Sequence, residues 1–124
     1  MTAVPYTYRA LVFDVHDGDT FTAALDLGFG LSFKTAVRLV GCNARELSMP
    51  GGQEARANLV AKFGSVGWHI MLTSMAWDKF GGRVDAAVTL PDGSDLATGL
   101  IVDGWAAAWN GTGAKPVPPW PRTV

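Results

Sequence analysis

Apolar and polar positions alternate through the first third of the chain and then change period. Residues 8–15 alternate only weakly but are rich in Leu11, Val12, Phe13 and Val15, which reads as a buried strand. His16-Asp17-Gly18-Asp19 is turn chemistry. Phe21, Ala23 and Leu25 then alternate with Thr20, Thr22 and Ala24 as a second strand. After Gly28-Phe29-Gly30 a third strand places Phe33, Thr35, Val37 and Leu39 on one face and Lys34, Ala36, Arg38 and Val40 on the other. Three consecutive strands with short turns make a meander.

Met49-Pro50-Gly51-Gly52 punctuates the chain before a helix. Ala55, Leu59, Val60 and Phe63 fall at helical spacing, Glu54 and Lys62 lie at the ends that suit the helix dipole, and Gly64 offers a stop. Residues 70–77 and 84–90 are apolar segments flanking Asp78-Lys79-Phe80-Gly81-Gly82-Arg83, a hairpin signature. Asp95 is placed to cap a short helix that Gly104 ends. From Asn110 the chain is Gly/Pro-rich, which predicts an extended surface tail. The resulting division is a domain over residues 1–109 and a tail over 110–124. The strand and helix runs are separate, so the fold class is α+β and β-rich. Five short antiparallel strands, a helix between the third and fourth and a short C-terminal helix suit a five-stranded Greek-key OB barrel.

Composition narrows the function classes. Hydrophobic residues make up 48% and charged residues 17% of 124, enough for a core and too little charge for a disordered chain. No apolar run approaches the roughly 20 residues of a membrane span, and no signal peptide is legible at the start. The expected location is therefore the cytoplasm of the producing cell or a virion. Cys42 is the single cysteine and reads as a small buried residue. The net charge of −1 excludes a strongly basic nucleic-acid coat, while a locally basic cleft needs only a few cations.

Four segments carry candidate chemistry. They are Asp17-Gly18-Asp19-Thr20; the run from Val37 to Glu46, which reads Val-Arg-Leu-Val-Gly-Cys-Asn-Ala-Arg-Glu; Gly52-Gln53-Glu54-Ala55; and Asp78-Lys79-Phe80-Gly81-Gly82-Arg83. Together, in this order and at these separations, they resemble the staphylococcal nuclease-like (thermonuclease) family over residues 8 to 109. The resemblance implies an OB barrel and hydrolysis of phosphodiesters in single-stranded DNA or RNA with one bound Ca²⁺. It implies that Asp19, Asn43 and the backbone carbonyl of Ala44 hold the metal. Arg38 and Arg83 would then contact the phosphate, and Glu46 would activate water. Lys79, Phe80 and Trp109 would lie against the nucleotide.

The departures from the family pattern carry expectations too. Asn43 stands where the family places a carboxylate, which predicts weak metal binding. Arg45 replaces a proline, adding a positive charge beside Glu46. The alternative reading is an OB-type binding or structural module with weak or no activity. Small size and the Pro-rich tail resemble compact nuclease-like proteins of actinobacterial bacteriophages, in which the tail would dock on a neighbouring protein. His16 reads as a polar turn residue.

Overall fold

The computed structural model describes residues 6–77 and 82–120. Three long strands come first: β1 (Tyr6–Val15), β2 (Thr20–Gly28) and β3 (Leu31–Leu39). A three-residue strand β4 (Cys42–Ala44) leads to helix α1 (Gly52–Ser65), then to strands β5 (His69–Trp77) and β6 (Arg83–Thr89). Helix α2 (Leu96–Val102) and a short strand β7 (Ala106–Ala108) complete the described elements. The strands β1, β2, β3, β6 and β5 close into a barrel in that order, while β4 pairs with β7 beside it. The protein is thus mostly β, with two helices. Neither helix is long and apolar enough to cross a membrane.

The expected all-antiparallel arrangement fails at one pair. β3 and β6 run parallel, in register from Ala36 opposite Arg83 to Leu39 opposite Ala86. Ring closure demands this. Directions can alternate all the way round only with an even number of strands, so a closed ring of five holds at least one parallel pair. The four other pairings are antiparallel.

Side-chain alternation fills the barrel. Phe21, Ala23 and Leu25 of β2, Thr35, Val37 and Leu39 of β3, and Val84, Ala86 and Val88 of β6 are buried, with their neighbours turned outward. In β1 the register slips between Val12 and Asp14, and the irregularity lets both Val12 and Val15 face inward. That slip is why the sequence alternates weakly there. Leu11 and Phe13, expected inside, are exposed. Leu59 and Phe63 of α1 enter the same core, where the Phe63 ring meets Phe21 edge-on at 5.0 Å. Gly64 lies within α1 and does not end it. The chain turns at Val66, whose N–H bonds to Phe63, and then at Gly67 and Trp68, both at positive φ. Asp95 caps α2 as its sequence predicts, accepting from the Thr98 N–H, and Gly104 follows at φ 83°.

Residues 110–120 form no helix or strand, as their Gly/Pro content predicts, yet they do not simply lie along the surface. Pro118 is buried, and the Trp120 ring packs on Trp105 at 4.3 Å between centroids. The backbone N–H of Trp120 donates to Gly104, at 3.2 Å. Arg45 fixes this strap: Nε donates to the carbonyl of Trp120 at 2.7 Å and Nη2 to that of Pro118 at 2.8 Å. Arg45 is only 4% exposed, with its guanidinium turned to these tail carbonyls. Carbonyl groups on the tail attract its guanidinium inward. The strap expected to reach a neighbouring protein is, in its described part, bound to its own barrel.

Gly52 links this fold to the loop ahead of it. A Cβ there would collide with the carbonyl of Glu46, so only glycine lets α1 start against that loop. Gly52→Ala is expected to cost about 1–3 kcal/mol through overpacking, read as a lower midpoint in chemical unfolding. A midpoint equal to wild type would show that the loop over residues 46–52 yields freely.

Candidate active site

The turn between β1 and β2 is held on three sides. The N–H groups of His16 and Asp17 both donate to the Thr20 carbonyl, and Asp17 Oδ1 accepts the Asp19 N–H at 3.1 Å. Gly18 packs against β4 and α1 so closely that a Cβ would lie 2.7 Å from the Cβ of Ala44. The turn therefore drives the Asp19 side chain inward, leaving the residue 5% exposed.

Asp19 ties three segments together. Its Oδ2 accepts the Ala44 N–H at 2.8 Å and pairs with Arg38 Nη1 at 2.9 Å, while Oδ1 accepts the Thr20 hydroxyl at 3.1 Å. Burial, aided by the neighbouring Asp17 side chain, pushes its pKa up from 3.8 to about 6, and the attraction of Arg38 offsets this only in part. Burial likewise raises the Cys42 thiol to about 12, which makes that cysteine a core residue and not a nucleophile.

Arg38 leaves the face of β3 that Val37 and Leu39 bury. In strand register it stands between Thr20 of β2 and Asp85 of β6. Its Nη1 also donates to the carbonyls of Leu39 and Cys42, at 2.9 and 3.3 Å, and Nη2 lies 3.5 Å from Asn43 Oδ1. Arg83 opens β6 two residues before Asp85, on the same outward face, and its Nε is 3.7 Å from Asp85 Oδ1. The parallel β3–β6 pairing is what brings Arg83 alongside Arg38.

Asp19, Arg38, Asn43, Ala44, Glu46 and Arg83, drawn from separated stretches of the chain, line one cleft of about 580 Å³. Trp109 lies in an adjoining recess shared with Arg38 and Arg83, with its ring 5.8 Å from the Arg38 guanidinium. Lys79 and Phe80 lie outside the described residues. Ala44 lines the cleft and meets Asp19 through its N–H. Asn43 is buried, and its Nδ2 donates to the Pro116 carbonyl at 3.0 Å, so the amide holds the tail. Glu46 is exposed, with Oε1 3.8 Å from Lys115 Nζ.

The cleft also takes in residues that the sequence reading did not assign to it. His16 lines the cleft as well as shaping the turn, and Lys115 reaches it from the tail. Lys115 left one signal: it is the sole charged residue from Asn110 to Pro121.

The side-chain oxygens that the resemblance assigns to a calcium ion are engaged by Arg38. Ca²⁺ takes 6–8 oxygen ligands, with carboxylates supplying the charge. Here one guanidinium already spans Asp19 Oδ2 and Asn43 Oδ1. The described residues contain no cluster of three acidic, His or Cys side chains able to hold a metal. No protein-family model and no curated protein matches the chain, so the roles of these residues rest on geometry and chemistry.

The raised pKa of Asp19 makes a signed prediction. The folded protein holds this proton more tightly than the unfolded chain, so this group adds stability as pH falls from about 6 towards 3.8 and removes it as pH rises through that window. The melting temperature of wild type relative to Asp19→Asn should therefore increase on acidification across that range. A difference that shrinks instead would mean that the Arg38 pair holds Asp19 ionised.

Proposed function

We propose that the barrel is an OB-type Greek-key fold and that its cleft binds and hydrolyses phosphodiesters of single-stranded nucleic acid. The strand order β1-β2-β3-β6-β5, with α1 between the third and fourth barrel strands in sequence, supports the first part. The convergence of two arginines and an exposed carboxylate on one cleft carries the second. It matches the residues on which the resemblance to staphylococcal nuclease-like proteins rests.

Arg38 and Arg83 provide planar donor forks for two phosphate oxygens. Fixed cations of this kind stabilise the charge that accumulates on a five-coordinate phosphorus. Glu46 takes a proton from water as the water oxygen bonds to phosphorus. The opposite P–O ester bond breaks, and the leaving oxygen takes a proton from solvent. Asp19 orients Arg38 through the 2.9 Å ion pair. No step uses a metal.

A second reading has one observation in its favour. Arg38 is committed to Asp19, which suits a module that binds nucleic acid without turning it over. Purified protein incubated with single-stranded DNA and RNA, in Ca²⁺ and in EDTA, separates the two. Cleavage in EDTA is the expected result. Binding without cleavage in either condition selects the binding module. Cleavage only with Ca²⁺ would mean that Arg38 leaves Asp19 to admit the ion.

Glu46→Gln tests the site residue itself. Its side chain is 61% exposed, so the melt should move by about 0.5 kcal/mol or less, while cleavage falls by roughly 10²–10⁴. Full activity in this variant removes Glu46 from the mechanism. Arg38→Ala is a poorer probe, because it strands a buried carboxylate and costs about 3–5 kcal/mol of stability.

A further inference from the structure

We infer that the C-terminal strap is part of the cleft, with Lys115 as a substrate-phosphate-binding residue and Asn43 as the residue that positions it. The inference rests on the reading of the cleft as a nucleic-acid site.

Charge is the first argument. Among the described residues, Arg38, Arg83 and Lys115 line the cleft together with Asp17, Asp19 and Glu46. Without Lys115 the described lining would hold two such cations and three carboxylates, a balance unfavourable to a polyanion. Affinity for a phosphate backbone comes mainly from neutralising cations. Arg38 is already held by Asp19 in a pair whose side chains are 12% and 6% exposed. The Lys115–Glu46 pair differs, at 3.8 Å with side chains 54% and 61% exposed. An exposed pair contributes little to stability, so Lys115 exchanges Glu46 for a phosphate at small cost. The exchange releases Glu46 to accept a proton.

Anchoring is the second argument. A lysine on a loose tail would lose chain entropy with every binding event, but both flanks of Lys115 are fastened. On the N-terminal side the Trp109 N–H donates to Gly41 at 3.1 Å and its indole N–H to the Thr112 carbonyl at 3.0 Å. Asn110 Oδ1 closes a further turn by accepting from Thr112. On the other side Asn43 Nδ2 grips the Pro116 carbonyl, the residue next to Lys115, and Arg45 grips Pro118 and Trp120. The Trp109 ring lies 5.8 Å from the Arg38 guanidinium and 5.9 Å from Lys115 Nζ, which keeps the two cations on one side of the cleft. Asn43 thus serves through its NH₂ group, which a carboxylate lacks.

The experiment measures binding of fluorescein-labelled single-stranded DNA and RNA oligonucleotides by anisotropy, from about 50 to 200 mM salt. Lys115→Gln should weaken binding by about 3- to 10-fold and flatten the log–log salt slope by about 0.7, the value for one lost phosphate contact on a single strand. Lys115→Arg should restore both. Asn43→Ala should reproduce the loss, and the double variant Asn43→Ala/Lys115→Gln should bind no more weakly than Lys115→Gln alone, because the two act through one contact. Wild-type affinity and salt slope in Lys115→Gln would overturn the inference and leave the cleft reading standing. Additive losses in the double variant would overturn the positioning role of Asn43. Failure of wild type to bind either oligonucleotide would overturn the cleft reading and this inference with it.

Discussion

The carboxylate of Asp19 joins the β1–β2 turn, the end of β3 and the short strand β4, and the site depends on that junction. A buried carboxylate is costly unless hydrogen bonds and a cation compensate it. The Ala44 N–H, the Thr20 hydroxyl and Arg38 supply that compensation within about one residue's reach. Each of those partners is thereby positioned. Arg38 is held at the cleft, Ala44 is drawn against Gly18, and β4 is held with Asn43 in the cleft lining. Because burial still raises Asp19 towards a pKa of about 6, the compensation is incomplete.

Barrel closure then decides which residues can share the cleft with Asp19. Closing a ring of five strands requires a parallel pair, here β3–β6, and that pair lays Asp85 beside Arg38 with Arg83 one pleat away on the same face. An open sheet of the same strands would carry no such requirement. The two arginines of the cleft are therefore neighbours by topology and not by sequence, being separated by the whole of α1 and β5.

The C-terminal strap ties the far end of the chain to the same place. Asn43 and Arg45, two residues that depart from the resemblance in the segment richest in candidate chemistry, both turn out to bind tail carbonyls. These departures form a coherent set. An amide and a guanidinium offer the N–H donors that a proline- and glycine-rich strap needs, since such a strap has few donors of its own and many carbonyl acceptors. A carboxylate at position 43 and a proline at position 45 would offer none. The β4–β7 pairing, with Ala44 opposite Ala106, brings the two ends of this arrangement together.

The sequence by itself determined the elements whose signals lie within a few residues of one another. Alternation in β2 and β3, the spacing of Ala55, Leu59 and Phe63, the Asp95 cap and the Asp17–Asp19 turn are all set by local backbone geometry and by which face is apolar. The resemblance groups Asp19, Arg38, Asn43, Glu46 and Arg83, and all five line one cleft. The slip in β1, the extension of α1 past Gly64 and the three-residue strands β4 and β7 escaped the sequence reading. A register irregularity breaks the period that would reveal it, and an alanine triplet carries almost no strand preference. What only the tertiary structure decided are the partners of the polar side chains. Asp19 bonds to a residue 25 positions away, while Asn43 and Arg45 bond to residues 73 and 75 positions away. Contacts over such separations are selected by packing and by the need of buried polar groups for partners, and no local pattern encodes them.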